Sequence, residues 1–272
     1  MTSHGTDTVF AGSVPELYDT LMVPLIFEPY AADLAARAAA LAPTHVLEVA
    51  AGTGALTRRL ASALPDGTSI VATDLNRPML DRAAAIGTSR PLTWQQADAM
   101  QLPFPDASFD LVICQFGAMF FPEKHKAFAE ARRVLKPGGV LLFNVWDRIE
   151  ENAFAHTVTQ TLTGIFPDKP PVFLARTPHG YHDPAVVAAD LRLGGFSEAS
   201  TCATVAAESR AVDANTPAIA FCQGTPLRGE LEAFGPDALV NATLACAEAL
   251  TREFGPGPVS GKIQAHVFSA RA

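Results

Sequence analysis

Residues 46–54, VLEVAAGTG, decide the fold of this 272-residue chain. Val46, Leu47 and Val49 favour a buried strand, and the run stops where Gly52 and Gly54 let the backbone turn sharply with no Cβ in the way of a ligand. The following segment, ALTRRLASAL (55–64), has helical periodicity. A strand, a glycine turn and a helix in this order present free backbone N–H groups and the positive end of a helix to whatever binds there. Taken alone the turn fits several nucleotide-type cofactors, and it also fits two glycines kept only for tightness.

Working outward, TSIVATDLN (68–76) reads as a second strand ending in Asp74. That is about 20 residues past the glycines, where α/β nucleotide folds put an acid to accept from both ribose hydroxyls. A third strand, LTWQQADAM (92–100), brings up Asp98. A fourth, FDLVICQFGAMFF (109–121), follows a proline-rich turn and leads into a helix ending RRVLKPGG (132–139), before a fifth strand, VLLFNVW (140–146).

Composition bounds the function. With 49% hydrophobic and 18% charged residues the chain is globular, long enough for one large core or two domains. A net charge of −8 argues against a phosphate-backbone partner, and the basic pairs Arg58-Arg59 and Arg132-Arg133 read as solvated helix faces. No nucleic acid and no membrane span are expected. The polar start MTSHGTDTVF is unlike a signal peptide, so the cytoplasm is the expected location. Cys114, Cys202, Cys222 and Cys246 lack C-x-x-C spacing and are expected reduced and mostly buried. In TPHGYHDPAVV (177–187), His179, His182 and Asp183 could suggest a metal, but Asp183-Pro184 is also a good helix start, and no metal is expected.

No flexible linker is visible. Ser13-Val-Pro-Glu16 has capping-box spacing and opens a short helix carrying Tyr18; EPYAADLAARAAALA (28–42) is a second helix. After the fifth strand, residues 148–182 combine the helical AFAHTVTQTLTGIF with the loop FPDKPPVF and read as an inserted cap. DPAVVAADLRLGGF then gives a helix ending at Gly194-Gly195, before a sixth strand around SEASTCATVAAES. Residues 213–257 form a second helical insertion, and KIQAHVFSARA alternates as a final strand. Phe154, Ile165, Phe166, Phe173, Phe221 and Leu227 either enclose a small apolar ligand or pack the insertions.

The ordered series from 15 to 147 resembles the class I S-adenosylmethionine (SAM)-dependent methyltransferases, and among them the bacterial small-molecule group similar to the ubiquinone and menaquinone methyltransferases. The resemblance implies one SAM-binding domain over residues 1–272. Its fold would be α/β and Rossmann-like: a seven-stranded, mostly parallel sheet with an antiparallel last strand, helices on both faces and helical cap insertions at 148–182 and 213–257 over the active site. It also implies roles. Glu48 and the turn Ala50, Ala51, Gly52, Thr53, Gly54 would sit at the methionine end of SAM, and Asp74 at the ribose. Asp98 would accept from the adenine amino group, with Ala99, Met100 and Leu75 against the ring and Asn76 and Met79 nearby. Gln115 and Phe116 would lie near the amino acid moiety and the methyl group, and Tyr18 would be a lid residue. The product would be S-adenosylhomocysteine (SAH).

One departure is Ala50, which stands where the family pattern acid-x-Gly-x-Gly-x-Gly has its first glycine; a positive φ there would cost about 1 kcal/mol or more. The expected activity is methyl transfer to a small-molecule acceptor by in-line displacement, which needs orientation and desolvation more than side-chain chemistry. A base is required only if the acceptor must lose a proton; His156, His179, Tyr181 and His182 are the candidates, with His125 weaker. Two alternatives stay open. One is an NAD-dependent oxidoreductase, against which Thr57 replaces the third glycine of G-x-G-x-x-G. The other is a SAM-binding protein that transfers nothing.

Overall fold

In the computed structural model, which describes Asp7 and residues 12–196 and 200–272, the apolar run at 46–49 lies inside a seven-stranded sheet. The strands are β1 (His45–Val49), β2 (Ser69–Asp74), β3 (Thr93–Gln96), β4 (Phe109–Gln115), β5 (Leu135–Trp146), β6 (Thr201–Ala211) and β7 (Val259–Arg271), in the order β3-β2-β1-β4-β5-β7-β6. β1 pairs in parallel with both β2 and β4, and β4 with β5. β7 runs antiparallel: Gly138 N–H donates to Ala272 O and Asp147 N–H to Gln264 O, so one index rises as the other falls. The expected Rossmann-like sheet is therefore present.

This order has a functional consequence. The chain leaves β1 toward β2 on one side and returns to β4 on the other, so the connections at the carboxyl ends of β1 and β4 diverge and leave a crevice between them.

The helices in chain order are α1 (Val14–Leu17), α2 (Glu28–Ala40), α3 (Ala55–Ala63), α4 (Arg77–Ile86), α5 (Lys124–Val134), α6 (Ala153–Ile165), α7 (Phe173–Arg176), α8 (Pro184–Leu193), α9 (Asn215–Gln223), α10 (Leu227–Glu232) and α11 (Ala238–Phe254). The chain divides into two compact units. One comprises residues 28–145, 181–205 and 265–272 and holds most of the sheet. Its core joins Leu34, Ala35 and Ala38 of α2, Leu56 and Leu60 of α3, and the strand residues Val46, Ile70, Leu111, Ile113 and Leu142. A second layer stacks Phe128 of α5, Phe143 and Phe268 with ring centroids 5.2 Å apart. The other unit comprises the described residues of 1–27, 146–180 and 206–264, and thus gathers α1 and the π-helix after it with residues 148–180 of the first insertion and all of the second. There α11 packs on α6 and α9, and Phe154 meets Phe254 edge-on at 4.9 Å.

Some local expectations need correction. Ser13 precedes α1 but does not cap it, because its hydroxyl accepts from Arg228 Nη1 at 2.8 Å. α1 runs on into a π-helix, Tyr18–Phe27, with Pro24 inside. β5 starts at Leu135 rather than after the glycines, since Leu135 already pairs with Phe109 ahead of a register shift. Asp183 caps α8 as expected, accepting from Ala185 N–H at 2.8 Å. The expected start of the sixth strand at Ser197, Glu198 and Ala199, and most of the opening segment, lie outside the described residues.

Candidate functional site

Glu48 ends β1 as a buried acid, 1% exposed, with Thr73 Oγ1 donating to its carbonyl at 2.9 Å. The chain then turns through three left-handed residues, Ala50 (φ +56°), Gly52 (φ +56°) and Gly54 (φ +84°), into α3. Gly54 is required for space as well as φ: a Cβ there would lie 3.0 Å from the Trp94 ring and 3.2 Å from Ala83 Cβ. Gly52 is open, with only Met79 Cε at 3.7 Å from its Cβ position. Ala50 takes the costly branch of the sequence expectation, a methyl carried in a left-handed conformation.

Asp74, at the end of β2 and 7% exposed, fastens the turn. Its Oδ2 accepts from Gly52 N–H at 2.8 Å and its Oδ1 from Asn76 N–H at 2.7 Å. Leu75 beside it is half exposed, at 50%. Asp98 lies two residues past β3, where its carboxylate accepts from Met100 N–H at 2.9 Å and so also shapes its own turn, with Ala99 and Met100 half-buried along it.

Two acids buried together resist ionisation. Burial pushes the Glu48 carboxyl up to about 8, and the nearby Asp74 charge adds to this, while Thr57 and Arg58 pull part-way back. Asp74 is also raised by burial, against the N–H groups of Asn76 and Gly52. Glu48 Oε2 and Thr53 Oγ1 are buried with no hydrogen-bond partner among the described residues.

Across the crevice β4 ends in a second strained turn. Phe116 is buried at φ +51°, its N–H donating to Asn144 Oδ1 at 2.9 Å and its ring edge-on to Tyr30 at 5.2 Å. Gly117 follows, and a Cβ on it would collide with the Ala50 methyl and come within 2.7 Å of Cys114 Sγ. Of the four described non-glycine residues with positive φ, two are Ala50 and Phe116, the latter next to the Gly117 that packs on the Ala50 methyl; backbone strain of this kind collects at functional sites. Gly117 and Asn144 escaped the sequence reading, because a glycine in a loop and an asparagine in a strand carry no pattern of their own.

Residues 47–143 match a family model described as a methyltransferase domain. The chain carries a methyltransferase domain. A ubiquinone/menaquinone biosynthesis C-methyltransferase of Pseudomonas savastanoi pv. phaseolicola is 43% identical over 102 residues, 36% of this chain and 40% of that protein. A demethylmenaquinone methyltransferase of Deinococcus radiodurans is 42% identical over 110 residues, 40% of this chain and 45% of that protein. The chain thus spans less than half the length of these curated relatives. The YcgJ protein of Bacillus subtilis shares the fold, with a TM-score of 0.57 at 18% identity, covering 89% of this chain and 98% of that one. The oxidoreductase alternative finds no support.

The base candidates each have surroundings of their own. His179 is buried, with Nδ1 2.8 Å from Asp147 O. Tyr181 donates to Asp190 at 2.8 Å under the Lys124 ammonium, and burial with that bond pushes its phenol up, which makes it a poor base. His156 and His182 are half-buried and His125 is exposed. Tyr18 stacks on Phe27 at 5.1 Å. Of the apolar residues in the insertions, Phe154, Phe173, Phe221 and Leu227 are buried core, whereas Ile165 is exposed and Phe166 stacks on Phe234 at 4.1 Å. Three of the cysteines are buried and all four are free thiols.

Two outcomes follow for the turn after β1. Ala50→Gly relieves the left-handed strain and should raise stability by about 0.5–1 kcal/mol in urea unfolding; a loss would mean that the methyl's packing on Gly117 outweighs it. Glu48 stays neutral in the fold up to about pH 8 but ionises in the unfolded chain from its ordinary value upward. Its contribution is full below that ordinary value and is lost as pH rises to about 8. Wild type should therefore lose stability relative to Glu48→Gln over that window, by at most about 1.4 kcal/mol per pH unit. Unfolding curves that stay parallel from pH 4 to 9 would show Glu48 ionised in the fold.

Proposed function

We propose that this protein transfers a methyl group from SAM to a small, partly apolar acceptor, and that the crevice between β1 and β4 holds the cofactor. The observation that carries this reading is the Asp74 carboxylate, which ties the Gly52 N–H to the end of β2 and keeps lone pairs for a ribose diol. The residues present suit the cofactor. Gly52 leaves room for a close approach, and Glu48 Oε2 and Thr53 Oγ1 are buried polar atoms with no hydrogen-bond partner among the described residues. Two carboxyls in one crevice suit a ligand with a sulfonium and an ammonium.

In this assignment Glu48 and residues Ala50 to Gly54 take the methionine end, Asp74 the ribose, and Asp98, Ala99, Met100, Leu75, Asn76 and Met79 the adenine side. Gln115 and Phe116 flank the methyl group. When bound, SAM supplies an electrophilic methyl on a positively charged sulfur. The chain's own work is to orient and to exclude water: Phe116, buried and braced by Tyr30, forms an apolar wall at the end of β4. No side chain is assigned as a base.

The acceptor is assigned to residues outside the family match. The family match ends at residue 143, within β5, and the insertions at 148–182 and 213–257, with Tyr18, are assigned to the acceptor. Quinone chemistry is therefore not carried over from the relatives' names. A net charge of −8 supports a small-molecule acceptor rather than a nucleic acid, and no described helix is long and apolar enough to cross a membrane.

Calorimetric titration with SAM, SAH and NAD tests the proposal. Micromolar binding of both adenosyl ligands without NAD is expected; NAD binding alone would overturn it. Asp74→Ala should weaken SAM binding by about 1–3 kcal/mol, and Asp74→Asn by less, because one acceptor for Gly52 N–H survives. Unchanged affinity in folded Asp74→Ala would remove Asp74 from the cofactor site.

A further inference from the structure

Asn144 reaches from β5 to the strained end of β4. It is 0% exposed, and its Oδ1 accepts from Phe116 N–H at 2.9 Å. The parallel ladder of β4 and β5 ends at the Gln115–Asn144 pair, so the next donor, Phe116 N–H, goes to the Asn144 side chain. That bond fixes the amide's orientation, because only the oxygen can accept. The Nδ2 group is then left buried with no hydrogen-bond partner among the described residues. A leucine at this point in the core would avoid that desolvation cost, so the amide is a liability unless its oxygen does something an apolar side chain cannot.

What it does is visible in the backbone. Phe116 has φ +51°, a conformation that a bulky side chain rarely adopts, and it must be held there by its surroundings. Three groups hold it. Asn144 takes the N–H, Tyr30 meets the ring edge-on while its own hydroxyl donates to Val205 O at 3.1 Å, and the Ala50 methyl fills the space beside Gly117. The first acts on the backbone directly.

We propose that Asn144 is a positioning residue of the methyl-transfer site, holding Phe116 in the left-handed conformation that turns the chain into Gly117 and sets the β4 wall of the crevice. The proposal rests on the assignment of Phe116 to the cofactor site. It names a residue that never touches substrate and acts only through the backbone of its neighbour.

A double-mutant cycle on the full chain tests it, with SAH as the probe in calorimetry. Asn144→Leu should weaken SAH binding about tenfold, because Phe116 is no longer held at positive φ. Glycine adopts that φ freely, so in a Phe116→Gly background the same Asn144→Leu change should cost about threefold or less. An equal loss in both backgrounds, or no loss in the single variant, overturns the proposal. A merely structural role would lower the melting temperature in both backgrounds and leave the two SAH losses equal. If Asn144→Leu does not fold, the smaller polar Asn144→Ser carries the same cycle with the same expectations. Failure of the wild-type protein to bind SAH would instead overturn the cofactor assignment on which the proposal stands.

Discussion

The Asp74 carboxylate joins two turns that the sheet alone would leave independent. β1 and β2 are paired through Val49 and Thr73, with one more backbone bond from Ala51 N–H to Thr73 O at 2.9 Å, and past that point each chain departs into its own helix. By taking Gly52 N–H on one oxygen and Asn76 N–H on the other, Asp74 fixes both departures relative to each other. The three positive φ values from Ala50 to Gly54, the start of α3 and the open face of Gly52 all follow from where that turn is held. A charge-assisted bond to a backbone N–H is among the stronger restraints available in a loop, and here it is shielded from water.

The same arrangement creates an electrostatic debt. Glu48 and Asp74 are buried within reach of each other's charge, and burial pushes both carboxyls upward. In the protein alone this is a source of instability that grows as pH rises toward 8. A cationic ligand would reverse the sign of the interaction, lowering both acids and gaining a stronger attraction than it would find in water. Stability of the empty fold and affinity for a cation are thus opposed at Glu48, a trade commonly met at binding sites.

Much of the sheet could be read in the residues. Short apolar runs bounded by glycine, proline or acids located all seven strands, and the acids at their ends pointed to one edge, because a parallel βα repeat must put every carboxyl end on the same side. The local failures have local causes. The Ser13 capping box was legible as spacing, but Arg228, 215 residues away, takes the hydroxyl. Tyr181 looked like a base until Asp190 and Lys124 closed around it. The large apolar residues of the insertions were legible only as apolar, and Phe154, Phe173, Phe221 and Leu227 turned out to be core.

What the sequence by itself determined was the cofactor edge: Glu48, the glycines and Asp74 lie on consecutive βα turns, so their proximity follows from strand pairing and short-range backbone geometry. Only the tertiary structure decided the conformation of Ala50 and the importance of Gly117 and Asn144. Those residues are 67 and 94 positions from Ala50, on strands brought together by the crossover from β3 to β4, and their contact is a matter of packing between non-consecutive strands. A methyl at position 50 and no side chain at position 117 are complementary only once both strand ends are in place. No periodicity along the chain encodes such a fit.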